Sequence, residues 1–110
     1  MGIKVVSVVR DYPGRLYVEI PQELIDGADL VPGDRLVCLF EKIIDPEGKV
    51  RVEVGKKVTW EVGEFPHMLI VPRNVSEEYE IVPGGHFEDG DKLELTIEKV
   101  KKKDGSSIAV

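Results

Sequence analysis

The residues able to carry acid–base, metal or phosphate chemistry in this chain are few, and they are segregated. The histidines are His67 and His86, and the one cysteine is Cys38. A lone cysteine excludes an internal disulfide and a Cys-only metal cage. Cys38 lies in the alternating run "RLVCLFE", which reads as a buried, inert thiol. No serine occupies a nucleophile elbow, and no Gly-Lys-Ser/Thr phosphate loop occurs. His67 opens a strand and reads as a packing or surface residue. His86 precedes Glu88, Asp89 and Asp91, an oxygen-rich cluster without the spacing of a calcium loop. The expectation is a non-enzyme with no catalytic residue, cofactor or metal.

The charges are more informative. Glu19, Glu23, Asp26, Asp29 and Asp34 follow one another with no base between them. Glu77, Glu78, Glu80, Glu88, Asp89 and Asp91 form a second acidic run, with no Lys or Arg between Val75 and Gly90. If both runs lie on one face, that face repels phosphate and is either a solvated, solubility-conferring surface or a docking face for a basic protein partner. Its contact residues are expected to be Glu23, Asp26, Asp29, Glu77, Glu78 and Glu80. The opposite chemistry sits in "RDYPGR", where Arg10 and Arg15 flank a turn-tip Tyr12. These three are the candidate contacts for duplex DNA. With a net charge of −6, the molecule as a whole does not steer toward nucleic acid. Lys101 to Lys103 read as a solvated turn. Trp60 and Tyr79 read as core or rim aromatics, since no basic residues interleave with them as in a single-strand binder.

Elements must position these groups, and 110 residues suggest about one domain. Hydrophobic residues make up 42% and charged residues 33%, the balance of a globular chain. Val and Ile, stiff at χ1, favour a pleated sheet. No apolar run reaches the roughly 18 residues of a membrane span and no charged-then-apolar leader opens the chain, so a cytoplasmic location is expected. A single Asn and a single Gln among many Lys, Glu and Arg give the composition a thermophile-like cast.

The chain also resembles itself. "LYVEIP" (Leu16 to Pro21) aligns with "MLIVP" (Met68 to Pro72), and "GDRLVCLFEKI" with "GDKLELTIEKV". In the second pair Leu36, Cys38 and Phe40 fall on Leu93, Leu95 and Ile97 with the same strand parity. Ile3 to Val9 corresponds to Lys57 to Val62, and the turn Asp45 to Gly48 to Lys103 to Gly105. Strands are expected at Lys49 to Val54 and Ser106 to Val110, with the halves, 1–54 and 55–110, meeting near Gly55. Gln22 to Pro32 has room for one or two helical turns with Leu24, Ile25, Ala28 and Leu30 inward. In the second crossover Pro83-Gly84-Gly85 breaks any helix, leaving a short helical piece at Ser76 to Tyr79 with Ser76 as N-cap. Eight strands with two crossovers avoid open edges by closing. The expected fold is all-β, a small closed barrel with an internal pseudo-twofold repeat and short crossover helices.

From Val9 to about Val54 the chain resembles the AbrB-type (SpoVT/AbrB, swapped-hairpin) family. The resemblance rests on "R…GR", an alternating strand ending "IP", "EL", "L.PGD" and a final hairpin with "EGKV". It implies a cradle-loop, double-psi-like barrel in which each chain of a dimer supplies half. With both halves in one chain, a monomeric barrel is expected, further oligomers being possible. The family comprises transcription regulators and antitoxins, whose loop arginines match Arg10 and Arg15. Their paired basic residues after "IP.EL" match Ile25 and Asp26, so one charge is lost and one reversed. The second hairpin loop, Gly63 to Met68, offers Glu64 and His67 where the first offers arginines. A twofold DNA reader needs cations from both halves. A protein-binding module using the acidic crossovers is therefore placed ahead of a DNA-binding regulator using Arg10, Tyr12 and Arg15.

Overall fold

Residues 2–85 and 89–110 are described by a computed structural model. The chain is mostly β. Its elements are β1 (Ile3–Val8), β2 (Arg10–Tyr12), β3 (Arg15–Glu19), α1 (Gln22–Ala28), β4 (Arg35–Ile44), β5 (Val50–Glu61), β6 (Met68–Val71), α2 (Arg73–Glu78), β7 (Lys92–Lys101) and β8 (Ser107–Ala109).

The two Gly-Asp strands, β4 and β7, lie side by side and antiparallel at the centre of a five-stranded sheet of order β1-β7-β4-β5, with β8 also on β7. Alternation buries Leu36, Cys38 and Phe40 on β4, and Leu93, Leu95 and Ile97 on β7. The parity then changes, and the next buried residues are Ile43 and Val100. A bulge causes each change. Glu41 is the extra residue between Phe40 and Lys42, and Glu98 the extra residue between Ile97 and Lys99. One added residue turns the following side chains to the other face, which is why "EKI" and "EKV" end the two runs alike. The register is symmetric in the aligned positions. Cys38 faces Ile97, Phe40 faces Leu95, and Leu39 faces its own counterpart Thr96.

A second sheet of three strands, β2-β3-β6, stands apart from the first. Here Val18 faces Leu69 in an antiparallel pair. The sheets are linked by a bridge between Val62 and Leu69 and by the Glu19 amide donating to Ser7 Oγ at 3.0 Å. Between them lies the core, with Val9, Val18, Leu36, Phe40, Leu69 and Leu93 fully buried. Each large apolar side chain so enclosed contributes roughly 1.5–3 kcal/mol. Phe40 sets its ring edge-on to Trp60 (5.4 Å between centroids) and Tyr79 (5.8 Å), so both act as packing aromatics. Among the described residues the strands form these two sheets, linked by a bridge and not joined in one continuous ladder.

Several local expectations change. Lys49 to Val54 and Lys57 to Val62 are joined in one strand, β5, which pairs with β4 along its length. Gly55, read as a boundary, sits inside it with φ +61, where Val54 and Gly55 together oppose Glu41 in a bulge. That backbone angle favours glycine, and a strand glycine commonly marks a bulge. The second helix starts at Arg73, capped by Pro72 with no side-chain cap bond. Ser76 lies within it and its hydroxyl donates to the Arg73 carbonyl at 2.9 Å. Helix α1 falls where expected, with Leu24 and Ala28 buried.

Candidate binding surfaces

Both crossovers end in the same way. After α1 the chain turns left-handed at Asp29 (φ 49), and the Leu30 amide returns to the Ile25 carbonyl at 3.0 Å. After α2 it turns left-handed at Glu80 (φ 51), and the Ile81 amide returns to the Ser76 carbonyl at 2.9 Å. Next come Val31-Pro32-Gly33 and Val82-Pro83-Gly84. The Gly33 amide donates to Val62 O (3.1 Å), and the Gly84 amide to Val9 O (2.8 Å). This shared Val-Pro-Gly was legible in the sequence, but residues 85–90 separate it from Asp91 in the second copy and hid the match. At the base of that added segment Gly90 packs so closely on Gly84 that a Cβ there would lie 2.1 Å from the Gly84 nitrogen.

The aspartates that follow are internal. Asp34 is fully buried and Asp91 nearly so. Asp34 accepts from the Val31 amide (3.0 Å), the Lys103 amide (2.8 Å) and Lys102 Nζ (2.5 Å). Asp91 accepts from the Val82 amide (3.1 Å) and Arg51 Nη2 (2.8 Å). Each cation also closes the end of the adjacent helix. Lys102 donates to the Ala28 and Asp29 carbonyls, and Arg51 to the Tyr79 carbonyl. Burial alone would raise the Asp34 pKa, but the Lys102 bond and the two amides overcome it and hold the carboxyl below its ordinary value. Asp34 and Asp91 therefore leave the acidic surface, and Lys102 leaves the solvated lysine turn, because each is the other's buried partner or counterpart.

The remaining acids stay outside. Glu23, Asp26, Asp29, Glu77, Glu78 and Glu80 are exposed. Glu78 lies 3.6 Å from Lys56 Nζ, and Asp26 accepts from Gln22 Nε2 at 2.9 Å. The structure divides them between two helices. Helix α1 leaves the C-terminal end of β3 beside Met68, while α2 leaves the C-terminal end of β6 beside Leu16. The two helices thus start from opposite ends of one antiparallel ribbon.

On β2 and β3 the structure brings the cationic candidates together. Arg10 faces Tyr17 and Tyr12 faces Arg15 across the hairpin, and directly opposed residues share a face. Arg10, Tyr12, Arg15 and Tyr17 therefore line one side of the ribbon. Tyr12 meets Phe65, the aromatic of the other hairpin tip, edge-on at 6.3 Å. His67 is exposed, stacks on Phe65 at 6.0 Å and meets Tyr17 edge-on. The cation cluster considered at His86 and Glu88 lies outside the described residues. Among the described residues no group of His, Cys, Asp and Glu is arranged to hold a metal ion, and no helix is long and apolar enough to cross a membrane. Cys38 is fully buried, and burial pushes its thiol up to about 12.

Comparison with models of protein families, with curated proteins and with solved structures gave no match.

Proposed function

We infer that the chain is a non-enzymatic, cytoplasmic AbrB-like binding module, a monomeric barrel built from the repeat halves 1–54 and 55–110, which docks a basic protein segment on its acidic crossover helices. Support for the duplicated plan comes from the symmetric β4–β7 register, the matched bulges at Glu41 and Glu98, and the two helix ends with their buried aspartates. The observation that carries the function is the direction of the two cations that close the helix ends. Lys102 and Arg51 point inward to Asp34 and Asp91. Glu23, Asp29, Glu77 and Glu80 are left exposed and, among the described residues, without an ion-pair partner. Uncompensated surface charge of one sign steers and orients a partner of the other.

Fluorescence anisotropy with a labelled Lys/Arg-rich peptide tests this reading. Binding is expected to weaken with salt, and Glu23→Lys with Asp29→Lys, or Glu77→Lys with Glu80→Lys, should each weaken it at least tenfold. Affinity unchanged in both double variants would refute it.

A second reading, an AbrB-type DNA-binding regulator or antitoxin, is favoured by the shared face of Arg10, Tyr12 and Arg15. Under it, log K for duplex DNA falls with log salt, and Arg15→Ala reduces the slope by about one unit. Absence of binding at low salt dismisses it.

A further inference from the structure

The groove between the first hairpin and the start of α2 has a character of its own. Its volume is about 400 Å³; Ile70 and Pro72 give it an apolar floor, and Leu16, Arg15 and Arg73 also line it. Nothing local in the sequence marks Arg73, which stands alone after "VP". The structure brings it to the hairpin because β3 and β6 are antiparallel, which sets Leu16 opposite Val71, two residues before Arg73. Both arginines are exposed, and among the described residues neither forms an ion pair or a side-chain hydrogen bond. The corresponding groove at the other end of the ribbon, between β1 and the start of α1, carries Glu19, Gln22 and His67 in place of this pair.

We propose that the Arg15–Arg73 groove binds an acidic–apolar peptide segment of a partner protein, with a carboxylate held between the two guanidiniums and a neighbouring apolar side chain on Ile70 and Pro72. Charge complementarity and the floor both point to this occupant. A guanidinium binds a carboxylate through parallel N–H donors, and the apolar floor rewards a side chain that leaves water. A polyphosphate chain fits less well. Asp11 also lines the groove and meets either ligand as a like charge, but a duplex would in addition bring phosphates to the opposite groove, where Glu19 repels them. Arg73 opens α2, so the groove adjoins that acidic helix, but the two proposals take ligands of opposite charge and each is tested with its own probe.

The test is isothermal titration together with amide chemical-shift mapping on the full chain. The probes are a blocked hexapeptide alternating Leu and Glu, its Leu/Gln analogue, inorganic phosphate and a duplex DNA. The Leu/Glu peptide is expected to bind and to shift the amides of Leu16, Ile70 and Ser76. Arg73→Gln and Arg15→Gln should each weaken it about tenfold, the scale of a charge-assisted hydrogen bond, while Glu23→Lys should not. Both arginines are exposed, and an unchanged spectrum elsewhere verifies that each variant folds. The proposal is overturned if the Leu/Gln peptide binds equally well, if the shifts map elsewhere, or if the arginine variants bind as the wild type does. It also fails if phosphate or duplex DNA outcompetes the peptide, or if Arg73→Gln abolishes a concentration-dependent self-association that fills the groove with a second copy.

Discussion

Lys102 Nζ donates to Asp34 Oδ2 at 2.5 Å, joining two residues 68 apart in the chain. The Asp34 side chain is fully enclosed and that of Lys102 is 16% exposed. With the Ala28 and Asp29 carbonyls, the aspartate satisfies all three ammonium donors. Removing one member leaves the other as an uncompensated buried charge. Lys102→Met is therefore expected to destabilise the protein by about 3 kcal/mol, measured by urea denaturation. Replacing both, as Asp34→Leu with Lys102→Met, should cost less than either single change. A double variant less stable than both singles would show that the hydrogen bonds to the backbone outweigh the charge pair.

The same bridge gives an acid limb. Because the folded Asp34 carboxyl is held below its ordinary value of 3.8, its stabilisation is fully present above that value. It is lost as pH falls through the lower folded pKa. Wild-type stability should therefore drop more steeply below about pH 4 than that of Asp34→Asn. Parallel urea midpoints between pH 6 and pH 2 read the difference, and equal slopes would remove the bridge from the acid response.

Cys38 should resist thiol reagents in the folded protein. Burial and the nearby Glu98 charge raise its pKa to about 12, so almost no thiolate exists at pH 8. Native protein is expected to stay unlabelled by a disulfide-exchange reagent over hours, and guanidinium-unfolded protein to react at once. Rapid native labelling would mean that β4 opens locally.

The halves should not fold alone. β1 and β4 both pair with β7, and β3 pairs with β6, so each half completes its sheets with strands from the other. Fragments 1–54 and 55–110 are each expected to give collapsed amide spectra and to recover dispersed resonances on mixing. Two independently folded fragments would contradict a shared core.

The chain ends suggest a companion design. The Val110 amide donates to Glu98 O, and Ile3 faces Ile97, so the last and first strands lie end to end on β7 as the two parts of β5 do on β4. A circular permutant joining these ends and opening at Gly55 should keep the native fold. If it fails to fold, continuity at Gly55 is essential.

Alternation already marked Leu36, Cys38 and Phe40, with Leu93, Leu95 and Ile97, as inward faces, because strand periodicity is a local property. Asp45 and Asp104 marked their turns in the same local way, each side chain accepting amides from the residues just after it. Beyond that reach the sequence misleads. Gly55 looks like a boundary until the register shift at Glu41 is set beside it. Asp34, Asp91 and Lys102 look like solvated charges, since nothing nearby in sequence announces a partner. Arg10, Tyr12 and Arg15 were legible together because one hairpin holds them, whereas Arg73 needed the β3–β6 pairing to reach Arg15.

The sequence by itself thus determined the inward faces of β4 and β7 up to their bulges and the turns at Asp45 and Asp104, which depend on neighbours a few residues away. Only the tertiary structure decided which charges face water. A carboxylate or ammonium can be buried only where a partner of opposite charge meets it, and here those partners lie 40 and 68 residues distant.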